Sequence, residues 1–381
     1  MNTRRHFLSV SAMGVAAVAT SHLSSAIAGT TPKTPTTSAN DKPLPENSMT
    51  VLGKHYKPKF RLGLGGVAIG NAFKPTTDQE ADETLAAAWE GGVRYFDTSP
   101  WYGLGLSERR FGHFLCNKDR DEYILSTKVG RVLKAGEPLN HPLWKKPSPF
   151  RHTYDYTAEG VRRSVEDSLQ RLGINRIDIV FIHDLSPDNQ DMGKKWTEYF
   201  DIAAKGAMPE LTRMREEGII KGWGLGVNEI DPCLRALEVA DPDIFLSATQ
   251  YSLVKHDDAL RRLFPVCEKR GVSIVSGAPL NAGFLAGLDR FHYDGTIPDG
   301  MKEKRAKIEA IATKHGTDLR TAALQFAAAP AVMASVIPGA RHGEHVKQNI
   351  ASMKATIPTD FWAELKSEKL IAEDAPTPKA A

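Results

Sequence analysis

Eight short runs of β-branched and apolar residues recur along the chain, at 61–66, 93–97, 123–128, 177–183, 222–227, 245–250, 272–276 and 334–337. Between them the apolar positions repeat at helical spacing. In 77–90, Leu85, Ala88 and Trp89 share a face; in 157–172, Val161, Val165, Leu169 and Leu172 do. The stretches 209–217, 232–240, 258–269 and 342–353 continue the series. Apolar runs of this length alternating with amphipathic helices predict an α/β protein, a parallel sheet with helices outside. Eight units close a ring, so the expected fold is a (β/α)8, or TIM, barrel with long rim loops. The stretch 51–60 predicts an N-terminal hairpin across the barrel floor. A doubly wound sheet is the rival fold. Its one cue is Gly63-Leu64-Gly65-Gly66-Val67-Ala68, but a dinucleotide fingerprint opens directly into a helix. Here a loop follows, from Ile69 to Pro75.

Chemistry in such barrels collects where strands end at their C-terminal side. The second run ends in Asp97, followed by Thr98-Ser99-Pro100-Trp101-Tyr102. The third ends in Lys128, the fourth in His183-Asp184, the fifth in Asn228-Glu229 and the sixth in Gln250. A single polar residue at a strand end is ordinarily a solvated terminus. Five on one rim mark a site. Asp97, Tyr102, Lys128 and His183 form a chemically coherent set. A phenol titrates near pH 10 and is a poor proton carrier at neutral pH. A nearby ammonium lowers that value, which is the part expected of Lys128, with Asp97 holding it charged. His183 would orient a carbonyl oxygen. The set suits hydride transfer to carbon with proton transfer to oxygen, or the reverse.

On these residues the sequence resembles the aldo-keto reductase family, from about Phe60 to Asn349. The matching motifs are Phe96-Asp97-Thr98-Ser99 through Tyr102-Gly103 with Ser107-Glu108, then Ser126-Thr127-Lys128-Val129-Gly130, and the run from Ser164 to His183. The wording is most similar to the aldose 1-dehydrogenase branch. The resemblance implies Tyr102 as general acid/base within an Asp97, Tyr102, Lys128, His183 tetrad. It also implies a nicotinamide cofactor. Asn228 and Gln250 would bind the carboxamide, and Gly66, Leu280, Gly283 and Leu285 would line the cofactor path. Gly339, Arg341, Gln348 and Asn349 would hold the adenosine end, at a helix N-terminus suited to anions. Three departures stand out. Val227 replaces a serine before the carboxamide-binding Asn. Gly277 falls where an aromatic stacks on the nicotinamide. Gly339 and His345 replace the Lys and Arg that hold a 2′-phosphate, so NAD(H) is expected ahead of NADP(H), with Arg341 as a substitute cation. An exported nucleotide-binding or redox-sensing module with little turnover is the alternative function.

Composition alters this picture at the ends. Thr3-Arg4-Arg5-His6-Phe7-Leu8, a mildly apolar Val10-to-Val18 stretch and Ala26-Ile27-Ala28 resemble a twin-arginine export signal over 1–28. That implies the twin-arginine machinery as a partner and a periplasmic location, or a cytoplasmic one if the signal is not used. A Thr/Pro/Ser-rich linker is expected over 29–48, the barrel over 49–372 and a flexible tail over 373–381. No run approaches the ~20 apolar residues of a membrane span, so no stable membrane insertion is expected. The 381 residues carry a net charge of +3 with no basic cluster, which argues against nucleic acid. Three scattered cysteines, Cys116, Cys233 and Cys267, give no metal-ligand spacing. Two long rim loops, 130–156 and 184–206, carry His141, Trp144, Phe150, His152, Tyr154 and Tyr156, then Trp196, Tyr199 and Phe200. They are candidates for a lid over a small carbonyl or sugar substrate.

Overall fold

Parity along each strand decides what lines the barrel, because successive side chains point to opposite faces. The computed structural model describes residues 42–378, so the expected signal at 1–28 lies outside the described residues. Eight parallel strands form one sheet in sequential order: β1 Leu64–Gly65, β2 Tyr95–Asp97, β3 Ile124–Val129, β4 Ile179–His183, β5 Gly222–Val227, β6 Ile244–Ala248, β7 Ser273–Gly277 and β8 Met333–Ile337. Parallel bridges Leu62–Val336 and Gly65–Gly339 join the last strand to the first and close the ring. The expected barrel is the observed fold.

Tyr95, Ile124, Ile179, Phe181, Ile244, Leu246, Val275 and Ile337 form the inner apolar cluster, and their alternate neighbours pack outward under the helices. Burying each large side chain contributes roughly 1.5–3 kcal/mol. On β5 the inward positions are Gly222, Gly224 and Gly226, while Trp223, Leu225 and Val227 join the outer layer. A Cβ on Gly224 would lie 1.7 Å from the Ile244 carbonyl oxygen, so no other residue fits there. The floor is covered as expected: the antiparallel pair Val51–Leu52 and His55–Tyr56 precedes Phe60, and Tyr56 and Phe60 pack on the inner cluster.

The outer layer contains α1 Asp78–Glu90, α2 Leu106–Leu115, α3 Ala158–Leu172, α4 Trp196–Lys205, α5 Ala207–Glu216, α6 Asp231–Val239, α7 Phe264–Arg270, α8 Met301–Lys314, α9 Leu319–Ala328, α10 Gly343–Lys354 and α11 Thr359–Ser367. Five of these, α2, α4, α8, α9 and α11, were not expected from periodicity. In α9 eight of ten residues are buried, so it has no polar face; α8 buries only Ile308 and Ala312, with Met301 and Ile311 half-buried beside them, so its apolar face is narrow. Neither reads as amphipathic.

Two boundaries shift. Packing begins before residue 49: Leu44 lies on the core, and Asn47 Nδ2 donates to the carbonyls of Pro58 at 2.7 Å and Ala334 at 2.8 Å. It also continues past 372, where Ala375 is buried and Asp374 pairs with Arg261. The long loops carry structure of their own. Segment 130–156 is a hairpin, Arg131–Lys134 against Arg151–Tyr154. Its tip is fastened to the loop after β1 by Phe73 N–H to Leu143 O at 2.8 Å and Lys145 N–H to Asn71 O at 2.9 Å. Segment 184–206 contains α4. Among the described residues no helix is long and apolar enough to cross a membrane.

Candidate active site

Asp97, Lys128 and His183 are the last inward positions of three adjoining strands, two residues beyond inward Tyr95, Ser126 and Phe181 respectively. The sheet register therefore brings them together at the C-terminal mouth. Lys128 Nζ donates to Asp97 Oδ1 at 2.9 Å, Asp97 Oδ2 at 2.7 Å and the Thr98 carbonyl at 2.9 Å, which uses all three ammonium protons. Ser126 Oγ donates to Asp97 Oδ1 at 2.7 Å. Burial pushes the Asp97 carboxyl up and the Lys128 ammonium down; each is opposed by the charge of the other.

Tyr102 arrives on a tight turn between β2 and α2. Its N–H bonds to Ser99 O at 3.1 Å and its carbonyl accepts from Ser107 N–H at 3.1 Å. Lys128 Nζ lies 4.5 Å from its ring centroid, and the His183 ring stands edge-on at 5.7 Å. The Tyr102 hydroxyl makes no hydrogen bond to any described residue. The expected lowering of its pKa is not found: burial first, then the charges of Asp97, Tyr293 and Asp184, hold the phenol well above its ordinary value. The physical reason is burial of the phenol, to which the Asp97 carboxylate adds.

Ser99 fixes the imidazole. Its Oγ accepts the Trp101 N–H at 3.0 Å and lies 3.1 Å from His183 Nδ1. Ser99 is fully buried, so its one proton must find an acceptor, and Nδ1 is the acceptor in reach. His183 therefore carries its proton on Nε2, facing the mouth. Burial, then the charges of Arg131 and Lys128, holds it well below the ordinary histidine range, so the donor is a neutral imidazole. Tyr156 Oη donates to the His183 carbonyl at 3.0 Å. Its ring crosses Gly130, whose φ of 105° and lack of Cβ leave room for it.

The hairpin supplies the wall beside these groups. Trp101, Tyr102, Leu104 and Trp144 form a separate apolar cluster. Arg131 is buried between Trp101 and Tyr154, 4.6 and 5.1 Å from their ring centroids, and its Nη1 donates to Asp184 Oδ2 at 2.8 Å. Sequence reasoning missed Ser99, Arg131 and Asp184 as site residues. The available signals were a buried-length strand end at His183-Asp184 and an arginine directly after the lysine motif.

The expected cofactor residues divide. Asn228 and Gln250 meet: the Gln250 amide donates to the Asn228 carbonyl, and Asn228 Nδ2 donates to Asp188 Oδ2 at 2.8 Å. Gly66 is closely packed. Its N–H bonds to Asp97 O at 2.8 Å, its carbonyl accepts from Ser107 Oγ at 2.9 Å, and a Cβ would strike the Asp97 carbonyl, Ser107 Oγ and Phe111. Leu285 is likewise a core side chain, and Leu280 and Gly283 hold a tight turn by a 3.0 Å bond from Gly283 N–H to Leu280 O. Asn281 within that turn was not expected: its amide is fully buried with both Oδ1 and Nδ2 unpartnered. At the adenosine end, α10 starts without a side-chain cap, leaving first-turn N–H groups open beside Gly339 and Arg341. Arg341 Nη2 donates to Ala72 O at 2.7 Å while its Nε is buried and unpartnered. Asn349 turns towards Arg320, whose Nη1 donates to its Oδ1 at 3.1 Å, and Gln348 is exposed. Val227 packs in the outer layer. A Cβ at Gly277 would meet Leu246 Cδ2 at 2.9 Å and Ala248 Cβ at 3.0 Å, so these neighbours fill the place of an aromatic platform.

A closed parallel barrel with an acid–base cluster at its mouth and an anion-ready helix start beside it defines a nucleotide-dependent oxidoreductase. The Aldo/keto reductase family model matches residues 61–369. The chain is 36% identical over 329 residues to D-threo-aldose 1-dehydrogenase of Pseudomonas sp, covering 83% of this chain and 95% of the relative. It is 35% identical over 340 residues to pyridoxal 4-dehydrogenase of Microbacterium luteolum, covering 84% and 97%. The fold is shared with an aldo-keto reductase from Bacillus halodurans solved in its holo form, at 22% identity and a TM-score of 0.63, over 88% of this chain and 98% of that one. The chain belongs to the aldo/keto reductase family and is an NAD(P)-dependent oxidoreductase of carbonyl and alcohol substrates.

Proposed function

We propose that the chain interconverts an aldose, or a related small aldehyde, with its oxidised or reduced partner, and that Tyr102 carries the proton. The observation that carries this reading is the unpartnered Tyr102 hydroxyl beside the Nε2–H of His183, at the end of the Asp97–Lys128 pair. The bound nicotinamide supplies or accepts the hydride. In reduction, His183 Nε2–H donates a hydrogen bond to the substrate oxygen and Tyr102 gives that oxygen a proton; in oxidation Tyr102 takes it back. The raised pKa keeps Tyr102 protonated until substrate and cofactor are in place. Lys128 then stabilises the phenolate at the moment it forms. Asn228, Gln250, Asn281 and the open start of α10 are the groups suited to hold the dinucleotide, because Asn281 and Arg341 keep buried polar atoms without partners. The names of the two curated relatives support the aldose or aldehyde substrate.

The test is cofactor absorbance with a panel of aldoses and aldehydes, wild type against Tyr102→Phe. Turnover lost in the variant supports the role; equal rates remove it. Purified protein that holds the cofactor and turns over nothing would make it a nucleotide-binding module instead.

The same reading favours NAD(H) over NADP(H), since Gly339 and His345 provide no fixed cation at the positions where the resemblance places them. Comparing kcat/KM for the two cofactors decides it; a preference for NADPH, lost in Arg341→Ala, would assign the 2′-phosphate to Arg341. We also propose export by the twin-arginine route on the strength of Arg4-Arg5 and the run behind it. Cell fractionation that finds full-length protein in the cytoplasm overturns this.

A further inference from the structure

His183 is followed by a carboxylate that nothing in the tetrad requires. Asp184 sits at a φ of 44°, a left-handed conformation that costs a non-glycine residue energy. Its N–H donates to Gly226 O at 2.9 Å, and its carbonyl accepts from Asn189 Nδ2 at 3.0 Å, so the backbone is clamped from both sides. The side chain is held as firmly. Arg131 Nη1 occupies Oδ2 at 2.8 Å, and Arg131 itself is fixed between the rings of Trp101 and Tyr154. Oδ1 is different. It accepts no hydrogen bond from any described residue, and it lies 3.5 Å from His183 Nε2, too long for a good one. The carboxylate is a fifth exposed, so this oxygen opens to the mouth.

The mouth therefore offers two fixed groups side by side. One is a neutral N–H donor, His183 Nε2. The other is an anionic acceptor, Asp184 Oδ1. A substrate oxygen bound to the first leaves the second waiting for a hydroxyl one hydrogen-bond length away. Oxygens on adjacent carbons, held gauche, have that separation. Arg131 contributes by keeping Asp184 oriented and balancing its charge; burial would lower the guanidinium, but Asp184 and the nearby tyrosines hold it above its ordinary value. Trp101 packs on Arg131, 4.6 Å from its guanidinium, and so helps to hold the arginine under Asp184.

We propose that Asp184, positioned by Arg131, is the specificity determinant of this enzyme and binds the hydroxyl on the carbon next to the reacting one. The substrate class is then α-hydroxy aldehydes and aldoses carrying a free 2-hydroxyl, as distinct from simple aldehydes. This rests on the proposed function and goes beyond it by assigning the recognition of one substituent to one carboxylate.

The experiment measures kcat/KM for matched pairs: glycolaldehyde against acetaldehyde in reduction, and an aldose against its 2-deoxy counterpart in oxidation. A hydrogen bond to a charged group predicts a wild-type preference of about 10- to 100-fold for the hydroxylated member. Asp184→Asn keeps shape and tolerance of the left-handed backbone and reduces the ratio; Asp184→Gly fits the same backbone and brings the ratio within about threefold of unity. A wild-type ratio near unity, or a full ratio retained in Asp184→Gly, overturns the proposal. Turnover of both members without preference leaves the oxidoreductase reading standing and removes only this one. No turnover of any member with either cofactor removes both. The wild-type ratio answers the question even if a variant fails to fold.

Discussion

The floor and the mouth of this barrel both bury carboxylates at strand ends, and they treat them in opposite ways. At the floor, Asp178 precedes β4. Its Oδ2 accepts from Arg120 at 2.5 Å and from the Leu125 N–H at 2.9 Å, and Lys221 Nζ lies 2.8 Å from Oδ1. Asp243, before β6, accepts from Arg215 at 2.9 Å and from the N–H groups of Trp223 and Tyr56 at 3.1 and 3.3 Å. Each is held by cations and N–H groups of the chain. At the mouth, Asp97 is held too, but it holds Lys128 beside a phenol with no partner. Asp184 has one oxygen spare, and Asn281 has its whole amide spare. A buried polar group with every partner supplied by the chain is structural. One left short of partners at the barrel mouth, where such folds bind their ligands, is a candidate ligand contact.

Four outcomes sharpen or break that contrast. The largest is Tyr102→Phe, which removes the proton carrier and lowers kcat by about 10²- to 10⁴-fold without moving the unfolding midpoint. A variant that unfolds early instead would make Tyr102 a packing residue. Next is Asp178→Ala, the floor counterpart. It strands Arg120, Lys221 and a backbone N–H, and costs about 3–5 kcal/mol of stability in denaturant titration, while kcat per folded molecule stays within about threefold. Lost activity in fully folded Asp178→Ala would blur the two regions.

A smaller effect is expected at Asn281→Ala. Cofactor affinity, read by fluorescence titration, falls about tenfold because one hydrogen-bonding group is removed. Stability of the ligand-free protein does not fall, since no internal partner is lost. The reverse pattern would place Asn281 with the floor residues.

The smallest effect is a pH dependence. Burial holds His183 well below its ordinary value and, with the charge of Arg131, pushes His152 down to about 4. Burial and Lys255 push His292 down to about 4 as well. The folded chain keeps these rings neutral where the unfolded chain, titrating near 6.5, takes up protons. Unfolding therefore binds protons below about pH 6.5, and stability is complete above that and lost as pH falls towards 4. The unfolding midpoint should drop across this window, less steeply in His152→Asn. An unchanged slope in that variant would mean that His152 is already solvated.

Much of the mouth was legible because strand parity is local. Tyr95 to Asp97, Ser126 to Lys128 and Phe181 to His183 each step two residues along a pleat, so an inward apolar run ending in a polar residue puts that residue on the inner rim. The floor was not legible in the same way. Asp178 and Asp243 read as ordinary solvated starts of strands, and only the partners show otherwise: Arg120 is 58 residues away in sequence and Arg215 is 28. Helices α8 and α9 were missed because one has only a narrow apolar stripe and the other is nearly all buried, and periodicity reports only a broad face.

The eight strand–helix units, the closed barrel and the four residues Asp97, Tyr102, Lys128 and His183 follow from period, order and residue type along a few neighbouring positions of the chain. Tertiary structure decided the state those residues are in. It buried Tyr102 beside the Asp97 carboxylate and so kept it a phenol, it turned the His183 proton to Nε2 through Ser99, and it gave Asp184 one paired oxygen and one free. Those outcomes depend on burial and on partners from distant segments, and no local pattern records either.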